Sequence, residues 1–110
     1  MKNEAYLQKE LVEIYHASAE SIPIQKESLN VILAIQTHMY WNNIDIALEE
    51  IMRVLKKEGV FSIICEKDKI KYHLPIYLNN NKMHILLKDK GFKDIQIYET
   101  NQWIQFTCRK

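Results

Sequence analysis

Apolar positions in this chain fall into short blocks whose spacing changes along the sequence, and the spacing predicts the elements. Leu29 to Ile35 (LNVILAI) and Val60 to Cys65 (VFSIIC) are nearly continuous apolar runs, the pattern of strands covered on both faces in a buried parallel sheet. Between them Ile44, Ala47, Leu48, Ile51, Val54 and Leu55 recur at three and four residue spacing. That places them on one stripe of a helix and turns Asp45, Glu49, Arg53 and Lys56 away from it. Asn42 or Asn43 is expected to cap the helix start. Acids early and Arg53, Lys56 and Lys57 late suit the helix dipole. Gly59 is expected to end the helix in the left-handed conformation. The result is a strand-helix-strand unit.

The flanks carry weaker patterns. Met1 to Glu10 is polar, with Tyr6 and Leu7 as its sizeable apolar groups, and reads as one or two marginal helical turns. Val12 to His16 (VEIYH) alternates in the manner of a strand. Glu66 to Leu78 is polar and then mixed, broken by Pro75. Asn79 to Asn81 can start a second helix, with Met83, Leu86 and Leu87 on its apolar face, Gly91 as the stop and Phe92 packing back on it. Lys93 to Glu99 and Trp103 to Arg109 alternate cleanly around Thr100 to Gln102, which predicts an antiparallel hairpin at a sheet edge.

Composition narrows the class. At 110 residues the chain makes one small domain, spanning 1–110, expected to bury about 65% of the surface its unfolded form exposes. Fifteen basic residues nearly balance fourteen acidic ones, which removes the electrostatic footprint for nucleic acid or an anionic membrane. No long apolar run or signal-peptide pattern is present, so a cytoplasmic location is the default expectation. Cys65 and Cys108 lie in strand-like runs and are expected to be free thiols. Only Gly59 and Gly91 occur, so the chain holds no glycine-rich phosphate or dinucleotide loop.

Ser28 to Val31, then Gln36-Thr37-His38-Met39-Tyr40-Trp41, then Ala47-Leu48-Glu49-Glu50-Ile51-Met52-Arg53-Val54-Leu55-Lys56 resemble the later half of a class I S-adenosylmethionine-dependent methyltransferase of the type 11 branch. Asn30 stands where that family has aspartate, and Lys57-Glu58-Gly59 replaces Pro-Gly-Gly. Ala17-Ser18-Ala19-Glu20-Ser21-Ile22-Pro23 is similar to the family's G-D-A-E-x-L-P loop, with Ser18 at the acidic position. The glycine-rich first motif, which receives the methionine end of the cofactor, is absent.

The resemblance implies an α/β fold: a truncated Rossmann-like sheet, mostly parallel, with a C-terminal antiparallel hairpin and helices on both faces. It makes Val12 to His16 the third strand of the family, Leu29 to Ile35 the fourth and Val60 to Cys65 the fifth. The implied spatial order is Leu29 to Ile35, Val60 to Cys65, Trp103 to Arg109, Lys93 to Glu99. S-adenosylmethionine is the implied cofactor, with Ser18, Ala19, Ile35, Gln36 and Trp41 as the implied cofactor-binding residues. Ligands of open α/β sheets gather at the carboxyl ends of the parallel strands, so Gln36 to Trp41 is the segment expected to face a substrate.

Within that segment His38 is the one candidate general base, by the range of its ordinary pKa. A lone histidine without a visible orienting partner also reads as a ring packed under Trp41 and bonded to a backbone carbonyl. Tyr40 and Trp41 read either as stacking groups or as cover for the helix start. His16, His73 and His84 with the two cysteines show no metal-ligand spacing, and Ser18, Ser21 and Ser28 lack a nucleophile elbow. Lys67, Lys69 and Lys71 read as a solvated strip.

Two functions follow from the resemblance. One is a methyltransferase acting on a small-molecule acceptor only when a partner supplies the missing cofactor-binding half, either a complementary N-terminal half or a second copy. The other is a non-catalytic remnant serving as a dimerisation or interaction module. Without the family's first strand, Leu29 to Ile35 would have an open apolar edge, which invites pairing with another chain. A homodimer, with Val12 to His16 pairing across a two-fold axis, is the expected assembly.

Overall fold

A computed structural model describes residues 11–110; the helical turns expected within Met1 to Glu10 lie outside the described residues. In chain order the elements are β1 (Leu29–Ile35), α1 (Ile44–Val54), β2 (Leu55–Glu66), α2 (Lys67–His73), α3 (Asn80–Asp89), β3 (Lys93–Glu99) and β4 (Trp103–Arg109). Single 3-10 turns at His38–Tyr40 and Pro75–Leu78 lead into α1 and α3. The strands form one sheet in the order β1-β2-β4-β3, the order expected. β1 runs parallel to β2, with Ile35 beside Ile64, while β2–β4 and β4–β3 are antiparallel. The sheet is therefore mixed where a mostly parallel one was expected, because the hairpin adds two antiparallel pairings to a single parallel one.

The local chemistry explains these boundaries. Asn43 caps α1, its Oδ1 accepting from Ile46 N at 3.1 Å, and leaves one orphan amide fewer at the helix start. Ala47, Leu48, Ile51 and Val54 are buried on the expected stripe. The helix does not run on to Gly59, however. It stops at Val54, and Leu55 already pairs with Leu29 at the start of β2. Gly59 is a buried strand residue whose added Cβ would lie 2.7 Å from Lys56 O, so close approach, rather than helix capping, is what demands glycine there. The left-handed conformation falls instead on Glu58, at φ +66°.

Asn79 caps α3 by accepting from Asn81 N at 2.9 Å. Gly91, at φ +97°, ends it as expected. The Phe92 amide returns to Leu87 O at 3.1 Å, and the buried Phe92 ring lies 5.6 Å from that of Phe61. α2 was not foreseen, since Ile70 is its one buried residue and a single apolar position gives no period to read. Val12 to His16 is no strand. Leu11, Val12, Ile14 and Tyr15 are 39 to 78% exposed, and alternation over five residues makes no strand without a neighbouring edge to bond.

The helices cover one face of the sheet. Phe61, Ile63, Cys65, Ile104, Phe106 and Cys108 point into a core shared with Leu48, Ile51, Met83 and Leu87. α1 and α3 lie side by side there, joined by Lys90 Nζ to Asp45 Oδ1 and to Glu49 Oε1, both at 3.1 Å. The opposite face is uncovered among the described residues: Val31, Leu33 and Ile35 are 55, 57 and 52% exposed, with Tyr98 and Trp103 farther across. Among the described residues the sheet therefore has two layers, with helices on one face, where helices on both faces were expected. Every described helix follows β1, and all of them pack on the same side.

Candidate functional site

β1 ends at Ile35, and Gln36 turns the chain out of the sheet with φ +55°. A non-glycine residue holds that conformation only where its surroundings fix it, and the fixing group is Glu66 at the end of β2. Gln36 Nε2 donates to Glu66 Oε1 at 3.0 Å, and Glu66 N donates to Gln36 Oε1 at 3.0 Å. The two carboxyl ends of the parallel pair are thereby tied together. The Gln36 carboxamide is occupied within the protein.

The segment that follows winds inward. His38 and Met39 are buried, Trp41 is half-buried, and Tyr40 is exposed with its ring 4.8 Å from that of His73. The His38 ring meets the edge of Trp41 at 6.2 Å, which is the packing expected of a structural histidine. The backbone-carbonyl bond expected with it is absent, since neither Nδ1 nor Nε2 has a partner. Burial lowers its pKa to about 4. A ring that is 1% exposed and holds its lone pair away from solvent is poorly placed to take a proton from an acceptor.

The turn bearing Ser18 and Ala19 is carried to α1 by its own acidic neighbour. Glu20 Oε1 accepts from Asn43 N at 2.9 Å, two residues from Trp41, and that bond holds its carboxyl below the usual range. Farther along, Glu50 Oε1 accepts from Ile22 N at 3.0 Å. Arg53 donates through Nη2 to Ile22 O and through Nη1 to Ile24 O, each at 2.9 Å, while its Nε reaches Glu50 Oε2 at 2.6 Å. Arg53 was expected to point into solvent and instead staples the incoming loop to α1. Its pairing with Glu50 at three-residue spacing was legible; the backbone carbonyls that it bonds, some thirty residues away, were not.

Elsewhere the charges are structural. Lys67, expected in a solvated strip, pairs with Glu99 at 2.8 Å. Cys65 and Cys108 are free and buried, and burial pushes their thiols up to about 11 and about 12, which leaves them unreactive at neutral pH. Among the described residues no three His, Cys, Asp or Glu side chains gather closely enough to hold a metal ion. No helix described is long and apolar enough to cross a membrane.

These features define a Rossmann-like α/β unit. The chain belongs to the methyltransferase domain family, whose model matches residues 1–63. A provisionally named methyltransferase of Bacillus subtilis (strain 168), YrhH, is 30% identical over 86 residues, which is 77% of this chain and 43% of that protein. The fold is shared with an S-adenosylmethionine-dependent methyltransferase of Thermotoga maritima, at a TM-score of 0.72 and 19% identity over 99% of this chain and 69% of that one. It is also shared with a Haloferax volcanii methyltransferase solved in complex with the Trm112 methyltransferase activator, at a TM-score of 0.63 and 16% identity over 84% and 59%. The chain thus spans less than half the length of its curated relative. The cofactor this resemblance implies is S-adenosylmethionine.

Of the residues expected to border the cofactor, the 18–20 turn and Trp41 both lie at the start of α1, linked through the Glu20–Asn43 bond, while Gln36 bonds Glu66 at the end of β2. Among the described residues no glycine-rich loop forms a cradle for the charged methionine end. Gly59 is enclosed in β2 and Gly91 closes α3, so no backbone loop is bare enough for close approach to a ligand.

Proposed function

We propose that this chain serves as the later half of an S-adenosylmethionine-dependent methyltransferase and takes up the cofactor only with a complementary part. That part is another polypeptide or a second copy supplying the strands and glycine-rich turn that this sequence lacks. The observation that carries the reading is the flank of β1, an edge strand with Val31, Leu33 and Ile35 each more than half exposed, beside the strand end where ligands of this fold gather. In this reading Ser18 and Ala19 approach the adenine, Ile35, Gln36 and Trp41 border it, and His38 supports Trp41 rather than acting as a base. Glu20, Glu50 and Arg53 hold the loop in place. The acceptor is a small molecule. A partner-bound arrangement has a precedent in the Haloferax volcanii protein with its activator.

Calorimetric titration tests the proposal. The chain alone is expected to give no binding heat with submillimolar S-adenosylmethionine, and adding a complementary half that carries a D-x-G-x-G-x-G turn should produce both binding and methyl transfer. Submillimolar binding by the monomer would refute the need for a partner. Should the reconstituted pair form yet bind no cofactor, the interaction-module reading takes its place.

A further inference from the structure

A cavity of about 360 Å³ opens at the carboxyl end of β2, on the helix-covered side of the sheet, and no residue of the cofactor-facing site lines it. Its inner wall is apolar, formed by Ile70 and Ile104, at 1% and 4% exposure. Its rim is polar, formed by Lys67, Glu99, Tyr77 and the asparagines that start α3. A concave apolar floor with a few convergent polar groups is the general form of a small-molecule site, and the volume is in the usual range.

The rim also selects for charge. Lys67 Nζ and Glu99 Oε2 neutralise one another at 2.8 Å, so neither an anion nor a cation meets an uncompensated opposite charge; either one would face a like charge in the same pair. Glu99 Oε1, by contrast, is only loosely engaged. Asn80 Nδ2 reaches it at 3.5 Å, beyond the normal range of a hydrogen bond. An incoming N–H can therefore take Oε1 and release the Asn80 carboxamide to bond the ligand. The Asn80 main-chain amide, first in α3, has no acceptor within the helix by its position. Asn79 Oδ1 is already committed to Asn81 N. At Glu99 and Asn80 the available groups are thus one acceptor, one carboxamide and one backbone donor, side by side.

We propose that this cavity binds a small uncharged molecule with an amide edge, a carboxamide, lactam or ureide group on a compact apolar body. The donor of the edge meets Glu99 Oε1, its carbonyl meets Asn80, and its body rests on Ile70 and Ile104. Binding here needs no cofactor, so the proposal stands apart from methyl transfer.

Nicotinamide and nicotinate, alike in shape but with a carboxamide in one and a carboxylate in the other, make the test. Each is titrated into the isotope-labelled chain while backbone amide shifts are followed. Nicotinamide is expected to shift the amides of Lys67, Asn80, Asn81 and Glu99, with a Kd on the order of a millimolar for a ligand of this size, and nicotinate to bind at least about fivefold more weakly. Asn80→Ala should weaken nicotinamide by about fivefold. Glu99→Gln removes the carboxylate, leaves Lys67 unpaired and should reverse the preference toward nicotinate. Both substitutions alter rim groups, and the unchanged amide pattern of β2 and β4 reports that the fold is kept. Shifts absent from the cavity wall, equal binding of the two probes by the unaltered chain, or an Asn80→Ala variant of undiminished affinity would each overturn the assignment.

Discussion

His38 shows how far one residue can depart from its sequence reading. Its ring is buried without a partner, and its pKa falls to about 4 in the folded chain, against about 6.5 when unfolded. Between those values the unfolded chain binds a proton that the folded chain refuses. Stability is therefore full above the unfolded value and declines as the pH drops from there toward 4, by about 3 kcal/mol in all. His38→Phe removes the titration and the two unpaired nitrogens together. In urea titrations the variant is expected to be at least as stable as the parent at neutral pH, and the gap between them should widen as the pH falls to 4.5. A gap that stays constant over that range would show that His38 does not titrate between the two states.

At the scale of elements, α1 organises the fold through three unlike faces. Leu48 and Ile51 are 0% and 2% exposed, so truncating either to alanine should cost about 2 to 5 kcal/mol. Glu49→Ala removes one exposed contact to Lys90 and should cost well under about 1 kcal/mol. Equal losses at Leu48 and Glu49 in denaturant titrations would contradict the facing described. The third face of the helix, that of Glu50 and Arg53, is assigned to the loop rather than to stability of the core. Arg53→Ala is expected to raise amide exchange at Ile22, whose acceptor Glu50 loses its orienting partner, while the amides of β2 and β4 keep their protection. Unchanged exchange at Ile22 would mean that the loop is held without the clamp.

At the scale of the molecule the uncovered sheet face dominates. Several of its polar groups already pair with one another: Ser62 Oγ and Thr107 Oγ1 lie 3.0 Å apart, and Gln105 Nε2 donates to Thr107 Oγ1 at 3.0 Å. Those groups keep their partners when the face is covered, which favours burial of the apolar side chains around them. Light scattering of the chain at micromolar concentration is expected to show self-association. Leu33→Lys, at a side chain 57% exposed, should abolish it and leave the thermal midpoint nearly unchanged. A parent chain that stays monomeric would remove the second copy from the candidates for the complementary part.

What the sequence determined by itself was everything set by local periodicity and local chemistry. The stripe from Ile44 to Val54, the Asn43 and Asn79 caps, the Gly91 stop and the hairpin from Lys93 to Arg109 are fixed by neighbours within a few residues, where backbone geometry dictates spacing. The family motif in α1 was legible for the same reason. Tertiary structure decided whatever depends on distant partners. Val12 to His16 has the alternation of a strand but no edge to bond. Gly59 has the place of a helix stop but is claimed by the pairing of Leu55 with Leu29. Gln36 meets Glu66, and Arg53 meets Ile22 and Ile24, across separations that carry no periodic signal. The bare face of the sheet is the largest such case. Burial of a strand is a property of what packs against it, and the apolar run of β1 reads the same in the sequence whether both of its faces are covered or only one.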